Sequence, residues 1–526
     1  MAGVVQCQQS FSLSAVRFLR AFGYNPGNRI DDSQRKKSNN SRSTMNQMHS
    51  DQQLDRRDLF NWVKCGIGGA ALASLLPQDN HATAASVPSS ADDPPPHLPV
   101  KAKRVIQITA CGGVSQVDSF DYKPALEKYH GKPLGGDERP DVFFGKVGLL
   151  RKNDWEFKQR GENGLWVSEL FPHLAEQADE LTIVRSMFAE TSNHTPATFQ
   201  ESTGFRLNGF PVLGAWLSYG LGSETEDLPA YMVIPDTRGF PAGGTINWTN
   251  GFLSARHQGV IIRSKGQAIN DLFPDREIAR ETELASRELL AKLNEEHRRE
   301  HGDDVLLARI RSYELAARMQ LAVPEVTTLD GETAKTRQRY GLDETDTDEF
   351  GRGCLLARRL LERGVRFVQL YSGGAFGSPR INWDGHENMI QNHGREAKRI
   401  DKPLAGLISD LRQRGMLDDT LVLFTSEFGR TPFTQSAGDV IGDGRDHNQY
   451  GFSSWLAGAG LKHGFAYGAT DEFGMKAVED RVHWNDFHAT ILRLLGIDHE
   501  RLTYYHNGIR RRLTNVGGEV INGILA

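Results

Sequence analysis

The sequence predicts an α/β fold: one large, doubly wound, mostly parallel sheet with helices on both faces and helical insertions. Two observations predict it. Short, near-continuously apolar runs recur along the chain, bounded by Gly, Pro or polar residues, as strands buried on both faces are. Segments of helical periodicity lie between them, and alternating strands and helices make a parallel sheet. No internal repeat competes with this reading.

In chain order the strand-like runs are Arg104–Ala110, Leu181–Ser186, Tyr231–Pro235, Gly259–Arg263, Val365–Tyr371 and Thr420–Ser426. Residues 276–321 are charged and helix-prone, and are expected as helices packed on one edge. From Arg395 to Arg414, Ile400, Leu404, Leu407, Ile408 and Leu411 fall at helical spacing, with Gly415 as the C-cap. In doubly wound sheets ligands bind beyond the carboxyl ends of the strands. The polar residues just after each strand are therefore the candidates for function.

Composition narrows the class. The chain has 526 residues, room for about three domains. With 38% hydrophobic and 25% charged residues it is ordinary for a globular protein, which excludes a disordered, collagen-like or disulfide-knotted chain. A net charge of −5 gives no sign of nucleic acid or an anionic membrane surface as partner. Cys7, Cys65, Cys111 and Cys354 are too few and scattered for a disulfide framework or a thiolate metal site.

The N-terminal region reads as separate from the fold. Residues 1–54 are a disordered or spurious extension, with Met45 and Met48 as alternative starts. Residues 55–84 read as a twin-arginine signal peptide: Arg56-Arg57, a weakly apolar run from Cys65 to Leu76, then Ala82-Thr83-Ala84 as an A-x-A cleavage signal. The run is too short to span a bilayer, so no transmembrane helix is expected in the mature chain. The alternative is the start of a buried helix. Residues 85–102 are a linker, and 103–526 the domain. Export implies a periplasmic or secreted protein.

Five post-strand or loop segments carry the candidate chemistry. Gly112-Gly113 lets backbone approach a ligand, with Asp118 and Asp121 behind it as ligands or helix caps. His194 falls at a helix N-terminus, next to Thr195. Asp384 and His386, with His393 beyond, converge in a Gly-containing loop, and an oxygen-plus-imidazole set suits Zn, Mn or Fe. Glu427 ends an apolar strand, where a carboxylate needs a metal or a partner. Arg430 is either that partner or a bidentate anion clamp. Asp446 and His447 follow a glycine; Asp486, near His488, reads as a helix cap.

Together the stretches GGVSQVDSFDYKP, NHTPATFQESTG, FGRGCLLARRLLERGVRFVQLY, WDGHENM, TSEFGRTP, GRDHNQYGFSSWLAGAG and DFHATILRLLGID resemble the DUF1501 family of exported bacterial proteins, from about residue 103 to the C-terminus. That family is similar to sulfatases and alkaline phosphatases, which implies an alkaline-phosphatase-like fold. Carried over position by position, the resemblance sets His194 where the nucleophile stands, Asp118 as the first metal Asp, Asp384 and His386 as the middle pair, and His447 as the last His. Glu427 replaces an Asp and Phe428 a metal-binding His. Without Cys or Ser at 194, the formylglycine mechanism is closed. Either the metal set is rebuilt with His194 and Asp446 as ligands, or activity has been lost.

The resemblance thus implies a metal-dependent hydrolase of sulfate or phosphate esters, sulfated polysaccharides among them. Asp118, His194, Asp384, His386, Glu427, Asp446 and His447 would hold divalent Zn, Mn, Ca or Fe. Arg430 or Arg445 would clamp the anion. Metal-bound hydroxide is favoured as the attacking group over Thr195, which has no evident base. The alternative is a non-catalytic periplasmic binding protein on a hydrolase fold, working with a protein partner. Export is directly testable. Changing both Arg56 and Arg57 to Lys should leave precursor in the cytoplasm on fractionation; mature protein in the periplasm would refute the signal.

Overall fold

A computed structural model describes residues 94–135, 140–270, 272, 279–301 and 304–526. The expected extension 1–54 and signal 55–84 lie outside the described residues. The six expected strands form as β1 (Arg104–Ala110), β2 (Leu181–Phe188), β3 (Tyr231–Ile234), β4 (Val260–Ile261), β5 (Phe367–Ser372) and β6 (Thr420–Thr425). A hairpin follows, β7 (Gly429–Thr434) with β8 (Arg445–Asn448), then β9 (Phe452–Gly458), β10 (Phe465–Tyr467) and β11 (Val482–His483).

The order across the main sheet is β10-β2-β9-β6-β1-β5-β3-β4, with β11 also on β2. β1 lies near the middle, with Ile108 opposite Leu370 on one side and Phe424 on the other. Every pairing in this sheet is parallel except those of β9, which runs against both β6 and β2. The hairpin accounts for this. It turns the chain back at the carboxyl edge of β6, so the next strand enters from that edge and runs the other way. β9 escapes sequence reading because Ser453-Ser454 interrupts its apolar run, though every residue in it is buried.

Alternation along β1 divides the interior into two cores. Ile106, Ile108 and Ala110 meet Leu355, Leu356 and Ile400, Leu404, Leu411 on one face. Val105 and Cys111 belong with Trp216, Trp484, Phe487 and Ile491 on the other. The described helices longer than eight residues, in chain order, are α1 (His194–Thr203), α2 (Leu213–Leu221), α3 (Arg280–His301), α4 (Asp304–Thr327), α5 (Asp348–Glu362), α6 (Met389–Gln413) and α7 (Trp484–Leu494). α5 and α6 cover the first face, α2 and α7 the second. The charged insertion forms α3 and α4, and Met319, Val323 and Val326 of α4 join the first core. α6 starts six residues before the expected Arg395, so His393 lies inside a helix rather than in the loop of Asp384. Asp486 caps α7, accepting from the backbone N–H of His483 at 2.9 Å.

Burial is what fixes the strand ends. Leu421, Val422, Leu423 and Phe424 are at most 1% exposed, and each such side chain contributes about 1.5–3 kcal/mol. β6 cannot slide without exposing them, so the residues just after it land in one place. β1, β2, β5 and β6 share a direction, and their carboxyl ends lie on one edge. Cys111 and Cys354 are buried free thiols. Among the described residues, no helix is long and apolar enough to cross a membrane.

Two buried histidines make the fold acid-sensitive. Burial, with Arg256 beside it, lowers His257 to about 3, and burial with His483 nearby lowers His488 to about 4. Both titrate near 6.5 in an unfolded chain. Their neutral forms therefore stabilise the fold fully above pH ~6.5, and this is lost as pH falls toward 4. Unfolding free energy should drop by about 1.4 kcal/mol per pH unit for each group across that window. Denaturant titrations at stepped pH should show the slope, and it should shrink in His257→Gln.

Candidate metal centre

The centre is assembled from the loops after β1, β2, β5 and β6. Ser426 Oγ donates to Ala110 O and accepts from Val114 N, both at 2.9 Å, stitching the end of β6 to the loop after β1. Glu427, fully buried, accepts from Gly112 N at 2.8 Å. Gly112 has φ +121°, and a Cβ there would lie 2.5 Å from the Asp384 nitrogen. Glycine is therefore required for the β1 and β5 loops to meet. Gly444 does the same for the hairpin, where a Cβ would lie 1.9 Å from His386 O. Asp384 is held by Asn382 Oδ1 on its N–H at 3.1 Å and by Trp383 N donating to Cys111 O at 2.9 Å.

Three imidazoles converge on one oxygen. The Nε2 atoms of His194, His386 and His447 lie 3.3, 2.9 and 3.2 Å from Asp384 Oδ1. All four ligand atoms fall within 4.8 Å of one another. The opposite nitrogens explain the orientation. His194 Nδ1 donates to Glu427 Oε1 at 2.7 Å, His447 Nδ1 to Ser192 O at 2.6 Å, and His386 Nδ1 to Gln435 Oε1. A carboxylate and a backbone carbonyl can only accept, so Nδ1 carries a proton, and in the neutral imidazole it is then Nε2 that presents its lone pair inward. A carbonyl or carboxylate behind each histidine is the usual support of a metal-ligating imidazole.

Electrostatics show what this arrangement wants. Burial would raise the Asp384 carboxyl, but the three histidines against it and the charge of Arg430 hold it far below the usual range. Burial opposes charge on His194, yet its bonds to Asp384 and Glu427 raise it; burial, Arg430 and the neighbouring imidazoles push His447 well down. The three histidines therefore cannot all be cations. In the neutral tautomer with Nδ1 protonated, each would aim a lone pair at an anionic oxygen, and His194 Nε2 is buried without a hydrogen-bond partner. A cation among them resolves both. The donor set, three imidazole nitrogens and one carboxylate oxygen, suits Zn, Mn or Fe. A tetrahedral site with bonds of about 2.0–2.1 Å spaces its donors about 3.3 Å apart, close to the distances of the three nitrogens from Asp384 Oδ1.

The other expected site residues lie around this cluster. Glu427 stands behind His194. Asp446, expected as a ligand, braces instead: Oδ1 accepts from His447 N at 2.8 Å and Oδ2 from Phe144 N at 2.9 Å. Asp118 is spent on Arg445, whose Nε lies 2.8 Å from Oδ2, and on Ser115 Oγ. Arg445 and Arg430, expected to clamp an anion, are both fully buried. Arg445 gives its remaining donors to the carbonyls of Thr431, Pro432, Arg151 and Lys152. Arg430 gives its own to Gly112, Gly113, Trp383 and Arg445 carbonyls and to Asp384 Oδ1 at 2.8 Å. Thr195 is exposed on the first turn of α1, and only its carbonyl is engaged, by Thr198 Oγ1.

Arg380 is one residue that sequence reasoning missed. It bonds Asp384 Oδ2 and Glu387 Oε1, and its side chain is 31% exposed. Its only signal is a place four residues before Asp384 in the same post-strand loop. Glu201, on α1, was also missed. Burial, with Glu427 nearby, pushes its carboxyl up to about 8, which favours its protonated form.

Similarity to solved structures is broad and remote. The lipoteichoic acid synthase LtaP from Listeria monocytogenes is 11% identical over 81% of this chain and 78% of that one, with a TM-score of 0.34. The PsFucS1 sulfatase from Pseudoalteromonas sp. is 13% identical over 78% and 74%, TM-score 0.33. The alkaline phosphatase from the Antarctic bacterium TAB5 is 10% identical over 76% and 99%, TM-score 0.31. No curated protein matches the sequence. A family model does match, over residues 102–525, and by it the chain belongs to the family described as "Protein of unknown function (DUF1501)".

Proposed function

We propose that this chain is an exported, metal-dependent hydrolase of sulfate or phosphate esters, those of polysaccharides among them. The observation that carries the reading is the convergence of three imidazole Nε2 atoms on one oxygen of Asp384. When bound, a divalent cation acts there as a Lewis acid toward an ester oxygen. The chain's own residues do the rest. Glu427, Gln435 and Ser192 hold the Nδ1 protons and so keep Nε2 free for coordination. Arg430 fixes Asp384 from inside. Arg380, the partly exposed guanidinium at the cluster, is the group left to meet an anionic substrate.

A second reading, a metal-binding protein without turnover, has one observation in its favour: both buried arginines have spent their donors on the protein. It predicts metal without hydrolysis. Elemental analysis of the purified protein, followed by turnover of 4-nitrophenyl sulfate and phosphate before and after chelation, separates the two. Ester cleavage lost on chelation and restored by metal supports the hydrolase; metal without cleavage of either ester supports the second reading.

Glu427→Gln should weaken metal affinity by roughly 10–100-fold, the usual cost of losing a supporting carboxylate, with an unchanged circular dichroism spectrum. Equal affinity in titration calorimetry would remove Glu427 from the centre. Arg380→Ala should leave metal stoichiometry intact and raise KM for the ester about tenfold, the loss expected for one charge-assisted bond. An unchanged KM would show that the anion meets another group.

A further inference from the structure

Anion chemistry leaves one part of this site unused. Two adjacent phenylalanines, Phe143 and Phe144, are 43% and 51% exposed directly against the cluster. Their rings meet edge to face at 4.9 Å. Phe143 lies 4.9 Å from the His447 ring and Phe144 4.9 Å from His386. Phe376 flanks His194 at 4.3 Å, and buried Phe428 underlies His447 at 4.5 Å. The pair covers histidines that are only 8% and 3% exposed, yet keeps nearly half its own surface in water.

The segment that carries the pair is pinned. Phe144 N donates to Asp446 Oδ2 at 2.9 Å, and the other oxygen of that carboxylate takes the N–H of His447. Asp141 Oδ2 accepts from Tyr450 OH at 2.9 Å, and Gly145 N bonds Val142 O at 3.2 Å. One carboxylate thus sets both the aromatic pair and a candidate ligand. A fixed apolar wall beside a cation site suits an amphiphilic ligand, its anionic group at the cluster and a flat face on the rings.

We propose that Phe143 and Phe144 determine specificity, selecting anionic esters whose leaving group presents a flat ring face, either an aryl ring or the C–H face of a pyranose. This rests on the ester-hydrolase reading above. It extends that reading from the anion to the group the anion is attached to. Asp446 is then a positioning residue, holding the wall in register with His447.

The test uses the zinc-loaded chain and non-hydrolysable probes in titration calorimetry: methylphosphonate, phenylphosphonate and a glucopyranosylmethylphosphonate, with methanesulfonate and benzenesulfonate as a parallel series. At least one ring probe should bind roughly tenfold tighter than its methyl counterpart, the scale of one or two aromatic contacts. Whichever ring wins identifies the leaving group as aryl or sugar. In Phe143→Ala/Phe144→Ala that ratio should fall to near one, with zinc content and methyl-probe affinity unchanged. Phe143→Leu/Phe144→Leu, which keeps apolar bulk, should also lose most of it. Zinc and methyl probes bound, with no ring preference or one that survives both variants, would overturn the wall and leave the hydrolase reading standing. No zinc, or no probe of either anion class bound, would overturn the hydrolase reading and the wall with it.

Discussion

The buried guanidinium of Arg430 is the contact on which the whole carboxyl edge of the sheet depends. It reaches carbonyls of Gly112 and Gly113 after β1, Trp383 after β5 and Arg445 in β8, and the carboxylate of Asp384. Three loops distant in sequence are thus tied to one planar cation. A charge so deep costs several kcal/mol unless fully paired. Here every contact is also a positional constraint. Asp384 cannot turn without leaving Arg430 short of its anion, and the three histidines are aligned on the oxygen that Arg430 holds.

A second pair, Asp118 with Arg445, repeats the device beneath the hairpin. The two arginines divide the work. Arg430 faces the cluster, and Arg445 locks the hairpin to the loop at Arg151 and Lys152. The basic side chains that sequence motifs put forward as substrate contacts are in this way internal scaffolding. The task of meeting solvent falls to Arg380, in a plainer stretch of chain.

The fold was legible because buried parallel strands announce themselves as short apolar runs, and the six runs read as strands all form in one sheet. β9 was not, since its register and direction come from the hairpin that precedes it, a tertiary cause with no local pattern. At the site, the rule that ligands gather past strand ends found His194, Asp384, His386, Glu427 and His447, and the structure brings these together. What it could not supply was pairing. Asp118, Asp446, Arg430 and Arg445 carry the charges a ligand or a clamp would carry, and only three-dimensional neighbours show that they satisfy one another or the backbone. Phe143 and Phe144 had no signal, because an exposed phenylalanine in a loop looks like any other until histidines are found under it.

The strand order also sets the timing of assembly. β1 is made first, but its neighbours are β5 and β6, with Val105 opposite Phe367 and Arg104 opposite Thr420. At about 5–20 residues per second, ribosomal synthesis leaves roughly 15–60 s between β1 and the completion of β6. Through that interval this buried strand has neither of its hydrogen-bonding edges covered. Nor can the four cluster residues meet, since His447 is made later still. The full set of cluster side chains therefore exists only in the last part of synthesis and after it.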